Sequence, residues 1–255
     1  MSRTLLILLC LVFLTSFTYA DEKATKLVSG ADLKLRGKIS SFHDAQFIVF
    51  RPGKKIERRM LAYLKGKKYS FTHFIEPVRD KGTTLLKRNY DLWMYTPKVR
   101  KVVRIPFGMM HQGVLGSDFT YDDIVKEATL TDDYNHKIVG ISKGMSKKYK
   151  RKVYVIDMFP KPGRPVAYKK LRAWISPKGF CFYRLQYYND KLKVTRILKY
   201  SKFAKVDDRV IPTVWTMYNL LKKGYKTVYI LKKGVYNKMK SDAMFVRRSL
   251  KNPPK

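Results

Sequence analysis

The sequence contains only two cysteines, which excludes a fold held together by several disulfide bonds. Cys10 lies in an apolar stretch at the amino terminus, and Cys181 lies alone far from it. If Cys10 is part of a leader that is removed, no internal disulfide can form. Secreted domains with a poor core rely on such cross-links. This chain must therefore be stabilised by a large apolar core, for which its hydrophobic fraction of 45% is sufficient.

Acidic residues are also scarce. The chain has 19 Asp and Glu against 55 Lys and Arg, which gives a formal net charge of +36. Such a charge attracts anionic partners over a Debye length of about 8–10 Å. If the apolar amino-terminal stretch is a secretory leader, the protein works outside the cytoplasm, where the anions are phospholipid headgroups, anionic glycolipids and acidic proteins. Nucleic acid then fits the charge but not the compartment. Because the cations form no single block, a general lysine bias of the proteome explains them about equally well.

No apolar run is long enough to cross a bilayer. The longest, from Leu5 to Leu14, falls short of the roughly 20 residues that a transmembrane helix requires. Arg3 precedes this run, and a short polar segment ends at Ala20 before a charged segment. This layout is typical of a cleavable secretory signal. We therefore predict a signal peptide over residues 1–20 and a single domain over residues 21–255 outside the cytoplasm, with an uncleaved anchor as the alternative.

Histidine is rare, and its four copies form no recognisable metal or catalytic motif. They stand apart at positions 43, 73, 111 and 136, and no pair has the i, i+4 spacing around a glutamate that marks zinc hydrolases. A Gly-x-Ser-x-Gly nucleophile elbow is missing as well. Cys181 follows Phe180 in a predicted strand, where we expect a buried, unreactive thiol. The sequence therefore predicts no enzyme, no bound metal and no cofactor.

The spacing of the apolar residues predicts one helix followed by many strands. Apolar positions recur at helical spacing over residues 22–36, and Gly37 follows as a stop. From Phe42 onward the period changes to two, and turns separate the β-rich segments about every ten residues. This pattern indicates a mainly β fold with a few helices, built on one antiparallel sheet that is strongly curved or half closed.

The interval 106–128 interrupts the strands. It begins with a glycine-rich apolar loop that contains two methionines, and Thr120 with Asp123 predicts the capped start of a helix over Tyr121–Ala128. Methionines and aromatic residues on a glycine-hinged loop beside a curved sheet suit an adaptable apolar pocket. The alternative is that the loop and helices fill the sheet as ordinary core. The residues alone leave both possibilities open and slightly favour ordinary core.

Several segments resemble a known protein family. They are Gly82–Leu85, Asp91–Ile105, Met109-Met110, Gly116–Ile124, Ile211-Pro212-Thr213 and Lys226-Thr227. They resemble the outer membrane lipoprotein-sorting protein family with a LolA-like domain, over essentially the whole chain after residue 20. The resemblance implies an incomplete antiparallel β-barrel with helices covering an apolar concave face, in a periplasmic protein that carries lipid or lipoprotein between membranes beside a lipid exporter. The chain departs from the family in its basicity, above all over Lys232–Lys240.

We therefore predict a non-catalytic periplasmic carrier that binds the acyl chains of a lipid or lipoprotein in a hydrophobic cavity and moves them between envelope membranes. The first alternative is a structural or adaptor protein of the envelope that works with a lipid exporter or an acidic partner and carries no lipid. The second is an enzyme that uses the half-barrel to orient an apolar substrate, which requires a titratable group inside the cavity that the sequence does not identify. The predicted cavity and lid residues are Trp93, Tyr95, Phe107, Met109, Met110, Leu115, Trp174 and Trp215. The predicted contacts to an anionic membrane surface are Lys98, Arg100 and Arg104. A register slip of one residue would exchange Trp93 and Tyr95 for Leu92 and Met94.

Overall fold

Thirteen strands dominate the structure, a computed structural model that describes residues 21–126, 129–142, 152–164, 166–238 and 241–254. The strands are β1 (Ser40–Arg51), β2 (Lys54–Lys65), β3 (Tyr69–Glu76), β4 (Thr84–Arg88), β5 (Asp91–Thr96), β6 (Lys101–Arg104), β7 (Tyr134–Ser142), β8 (Val153–Pro160), β9 (Lys170–Ser176), β10 (Cys181–Tyr188), β11 (Val194–Val206), β12 (Arg209–Asn219) and β13 (Lys226–Tyr236). The predicted signal peptide lies outside the described residues.

All thirteen strands belong to one open antiparallel sheet. Its order is β6-β5-β4-β3-β2-β1-β13-β12-β11-β10-β9-β8-β7, so β6 and β7 are its two edges. Each strand therefore pairs with its chain neighbour except where β1 pairs with β13 and where β6 and β7 stay apart. The prediction of a mainly β fold with an incomplete antiparallel barrel is confirmed.

The helices are α1 (Glu22–Arg36), α2 (Tyr121–Lys126) and α3 (Leu130–Asp133), and short 3-10 turns lie at Phe107–Met109, Val114–Gly116, Ala243–Phe245 and Arg247–Leu250. The Asp21 carboxylate caps α1 by accepting a hydrogen bond from the Ala24 amide at 3.0 Å. Gly37 ends α1 with φ 79°, a conformation that favours glycine. None of the helices in the described ranges is long and apolar enough to cross a membrane.

The two faces of the sheet bury different apolar clusters. The inner face carries the main core, to which α1 contributes the buried residues Ala24, Leu27, Val28 and Ala31. The outer face carries a smaller cluster of Phe71, Leu86, Trp93, Phe245 and Leu250. In this cluster the segment after β13 crosses back over β3 to β5, and the Thr84 hydroxyl donates to the Leu250 carbonyl oxygen at 2.7 Å.

Cys181 is the first residue of β10 and is only half-buried. Its thiol lies 3.3 Å from the Gly179 carbonyl oxygen in the preceding turn. The prediction of a buried thiol is therefore wrong, because the apolar neighbours that suggested burial flank a strand end rather than a strand centre.

Candidate ligand cavity

A cavity of about 180 Å³ lies on the inner face of the sheet. Its walls come from both halves of the sheet, with Phe47, Phe74 and Leu85 on one side and Phe182, Leu198 and Trp215 on the other. Since residues of β1 and β4 face residues of β10 to β12 across one space, the inner face is concave. A void that holds a single water needs roughly 10–15 Å³ of such volume. The volume of this cavity is therefore more than ten times that of a single-water void.

An aromatic ladder forms one wall of the cavity across four strands. The rings of Phe182 and Tyr200 stack at 5.6 Å, Tyr200 meets Trp215 edge-on at 5.8 Å, and Trp215 stacks on Tyr229 at 4.5 Å. Tyr200, Trp215 and Tyr229 occupy directly paired positions of β11, β12 and β13. The Trp215 indole N–H donates to the Pro212 carbonyl oxygen at 3.1 Å, so this ring adds apolar surface without an unpaired donor.

Small side chains on β2 and β3 line part of the cavity. Ala62 and Thr72 are paired neighbours, and Ala62 also pairs with His43 of β1. All three line the cavity, together with Ser70. Because alanine, serine and threonine project little beyond the sheet, the space opposite the aromatic ladder is left unfilled.

Two ion pairs hold charged residues of the cavity wall. On α1 the Arg36 guanidinium donates to the Asp32 carboxylate at 2.8 Å, with both side chains buried. On β11 the Arg196 guanidinium makes two hydrogen bonds of 2.6 and 2.9 Å to Asp123. Burial raises the pKa of Asp32. The wall is thus predominantly apolar, and Asp32, Arg36 and Asp123 in it are held in ion pairs.

The segment from Gly116 to Asp123 closes one side of the cavity and is tied to the sheet. The buried Asp118 carboxylate accepts hydrogen bonds from the Arg51 guanidinium at 2.8 Å and the Thr227 hydroxyl at 2.7 Å. Thr120 and Asp123 form the predicted capping box, with reciprocal bonds of 3.2 and 2.7 Å. Val114, Phe119 and Ile124 then reach the cavity.

Comparison with known proteins gives the fold and the family. A family model described as "Uncharacterized protein" matches residues 66–252. The chain belongs to that family. It also superimposes on a DUF1329 family protein from Desulfovibrio piger, with a TM-score of 0.81 and 22% identity over 91% of this chain and 99% of the other. No curated protein matches the chain by sequence.

Two further crystal structures carry the predicted resemblance. An outer membrane lipoprotein-sorting protein domain from Vibrio parahaemolyticus matches with a TM-score of 0.78 and 18% identity, over 90% of this chain and 99% of that one. A LolA superfamily protein from Nitrosomonas europaea matches with a TM-score of 0.72 and 21% identity, over 88% and 98%. These similarities confirm the resemblance to LolA-like lipoprotein-sorting proteins, and they establish the shared fold.

Within this LolA-like fold the predicted cavity residues fall into four groups, of which the first three lie on the inner face or in the loop. Trp215 lines the cavity. Met110 is buried in the inner core, while Met109 and Leu115 pack against it from the loop. Phe107 is 65% exposed.

Trp93, Tyr95 and Trp174 lie on the outer face, which corrects their predicted place in the cavity. On β5 the residues that face the inner core are Leu92 and Met94. The error has a physical reason: β5 is buried on both faces, so a buried tryptophan there does not reveal which side it occupies. The Arg184 guanidinium instead lies over the Trp174 ring, with its Cζ 5.1 Å from the ring centroid.

The predicted headgroup contacts lie at the end of the sheet near β6. Lys98 and Arg100 are exposed in the turn between β5 and β6. Arg104 is exposed as well, and its Nε donates to the Asp91 carboxylate at 3.1 Å. Lys98 and Arg100 are thus open to solvent, whereas Arg104 already has an anionic partner.

Sequence reasoning missed His43 and the two tyrosines of the aromatic ladder. The alternation along β11 to β13 carried a signal, since Tyr200, Trp215 and Tyr229 share one face. The pairing of these strands is needed to see that the three rings touch. For His43 the signal is absent, because its position beside Ala62 depends on the register of β1 and β2.

Proposed function

We propose that this protein is a non-catalytic periplasmic carrier that binds the acyl chains of a lipid or lipoprotein and moves them between envelope membranes. The observation that carries the proposal is the apolar hollow on the concave face of an open sheet. Transfer of an acyl chain out of water is favourable by about 0.8 kcal/mol per methylene. Even part of one chain in this cavity therefore gives useful affinity.

The chemistry of the wall supports a hydrocarbon ligand. Aromatic and aliphatic side chains dominate it, and the carboxylates of Asp32 and Asp123 in the wall are balanced by Arg36 and Arg196 without a ligand. Acid–base catalysis favours a group whose pKa lies near the working pH, and burial lowers the pKa of His43, the one histidine in the described lining, to about 4, which makes it a weak base. Binding without chemistry is the function that this wall supports best.

Native mass spectrometry of protein purified from the envelope, followed by organic extraction, tests the proposal. We expect acyl lipid bound to the wild-type protein and lost from Ala62→Phe, which fills the hollow. Thr216→Phe, which adds the same ring on the outer face of β12, is the matched control and should retain lipid. Purification with a protein partner but without lipid in the wild type would support the adaptor alternative instead.

For contact with an anionic membrane, we propose the end of the sheet where four hairpin turns emerge together. These turns, here called the turn rim, are residues 77–83, 97–100, 189–193 and 220–225. Exposed apolar residues stand at their tips: Val78, Val99, Leu192, Leu220 and Leu221. A lysine or arginine lies within two positions of each of them, including Lys98 and Arg100 beside Val99.

The turn rim suits a membrane because its apolar tips and cations act together. Leu221 is 72% exposed between Leu220 and Lys222, where an apolar side chain can enter the headgroup region while lysine meets phosphate. The Leu220 amide donates to the Thr195 carbonyl oxygen at 2.9 Å, which ties the 220–225 turn to the start of β11. Arg51, stacked on Tyr225 at 4.3 Å, connects the rim to the Asp118 segment over the cavity.

Vesicle sedimentation tests this surface independently of lipid carriage. We expect binding to phosphatidylcholine vesicles that contain phosphatidylglycerol, weakened by salt and by the combined change Leu192→Ser, Leu220→Ser and Leu221→Ser. The control is Ile39→Ser, which removes an exposed apolar side chain at the opposite end of the sheet. Equal binding by both variants would rule out the turn rim as the contact.

A further inference from the structure

Three buried polar atoms without a partner lie together at one end of the inner face. They are Ser41 Oγ, His43 Nε2 and Tyr236 OH. Ser41 pairs with Tyr236 across β1 and β13, and His43 is the next inward-facing residue of β1. The three side chains are at most 4% exposed. Since buried polar groups in proteins are nearly always hydrogen-bonded, such a cluster requires an explanation.

His43 connects this cluster to the cavity. Its side chain lines the hollow, and its ring lies edge-on to Tyr236 at 5.7 Å. Its Nδ1 is 3.0 Å from the Tyr229 hydroxyl, which belongs to the aromatic ladder. The neighbouring Ala62 leaves the cavity side of the ring uncovered by a large side chain. The remaining nitrogen, Nε2, is therefore the polar atom that a ligand in the cavity can reach.

The imidazole can serve a neutral ligand group. Burial lowers the pKa of His43 to about 4, so the ring is uncharged at neutral pH. An uncharged ring has one N–H and one lone pair. When the Tyr229 hydroxyl donates to Nδ1, the Nε2 atom carries the proton and donates to an acceptor.

The charges around His43 argue against an ionised ligand group. Asp32 and Arg36 on α1 line the same cavity and are bound to each other at 2.8 Å. A free carboxylate or phosphate placed here would lie beside a neutral imidazole, with its charge buried and uncompensated. A bare hydrocarbon would leave Nε2 without a partner. An uncharged hydrogen-bond acceptor on an acyl chain gives Nε2 a partner and buries no charge.

We propose that this end of the cavity binds the carbonyl group of an acyl ester or amide, with His43 Nε2 as the hydrogen-bond donor. The inference rests on the proposed carrier function and specifies its ligand: a chain that is still linked, rather than an ionised free fatty acid. The carbonyl is common to glycerolipids, through their esters, and to acylated proteins, through an amide. The headgroup or peptide then extends out of the hollow.

Displacement of an environment-sensitive apolar dye by three ligands of one chain length tests the proposal. The ligands are methyl laurate, N-methyl lauramide and dodecyl methyl ether, which lacks the carbonyl. For the wild type we expect whichever of the ester and the amide binds more tightly to exceed the ether in affinity by about tenfold. A difference of this size corresponds to one hydrogen bond. Stronger binding of the ester would point to a glycerolipid, and stronger binding of the amide to an acylated protein.

Substitutions of His43 test whether its Nε2 atom is the hydrogen-bond donor. In His43→Phe the carbonyl preference should fall below about twofold while the ether binds as before, which also shows that the domain is folded. His43→Gln keeps a donor and should retain part of the preference. Tyr218→Phe, which removes a hydroxyl from the outer face of β12, is the control and should retain all of it.

The outcomes separate this inference from the carrier function. Equal binding of ester, amide and ether by the wild type, or an unchanged preference in His43→Phe, would overturn the carbonyl site and leave the carrier function standing. Failure of all three ligands to displace the dye would overturn the carrier function itself.

Discussion

The two faces of one sheet are packed to different degrees. On the outer face of β3 to β5, the chain supplies its own cover: Phe245 and Leu250 return from the carboxyl-terminal segment and bury Trp93. On the inner face, α1 and the Gly116–Asp123 segment cover the sheet but leave a hollow beside His43. Over β3 to β5 the carboxyl-terminal segment closes the outer face, whereas the inner face stays partly open. The incomplete packing of the inner face is a property of its small residues, Ala62, Ser70 and Thr72.

Truncation of the outer cover should have the largest effect. Phe245→Ala removes a buried ring, 5% exposed, from a closed cluster, and such changes cost about 3–5 kcal/mol. We expect a corresponding fall in the free energy of unfolding by urea denaturation. Ligand affinity of the folded variant should stay the same, because the cavity lies across the sheet. A loss of ligand affinity in the folded protein would show that the two faces are coupled.

Acidification should act on the inner face next. Burial lowers the pKa of both His43 and His136 to about 4, below the roughly 6.5 of the unfolded chain. Between these values the unfolded chain binds more protons, so stability falls as the pH drops from about 6.5 to about 4. Each histidine contributes up to about 3 kcal/mol to this loss.

Urea denaturation at pH 7 and pH 4.5 checks the histidine prediction. His43→Phe should lose markedly less stability on acidification than the wild type, because one of the two buried rings is gone. The exposed His111 provides the control, since His111→Phe should follow the wild-type pH dependence. An identical pH dependence in His43→Phe would contradict the assignment of His43 as a buried neutral ring.

A matched pair of leucines compares the two faces directly. Leu86 is fully buried in the outer cluster, and Leu198 lines the cavity. Leu86→Ala should cost about 3–5 kcal/mol and Leu198→Ala about 2–3, because a side chain that borders a hollow has fewer contacts to lose. Calorimetric melting of both variants measures the difference. Equal costs would mean that the hollow closes in solution.

The sequence predicts where the helices and strands lie better than it predicts which side of each strand faces the cavity. The helix over residues 22–36 and the open β-sheet follow from capping, periodicity and turn residues, which are local. Which side of β5 meets the cavity depends on what covers its other side, and that cover comes from Phe245, some 150 positions later in the chain. Trp93 was therefore assigned to the wrong face. His43 could not be found, since its neighbours belong to other strands.

The predicted headgroup residues should have the smallest effect on stability. Arg104 and Asp91 form an ion pair on the surface, with side chains 65% and 42% exposed, and exposed pairs contribute about 0–1 kcal/mol. Arg104→Ala should therefore leave the melting temperature nearly unchanged. In vesicle sedimentation it should also bind more strongly than Lys98→Ala or Arg100→Ala, because Arg104 is neutralised by Asp91 whereas the other two cations stand on the turn rim. Equal weakening by all three variants would mean that only net charge, and not the position of the turn rim, determines membrane contact.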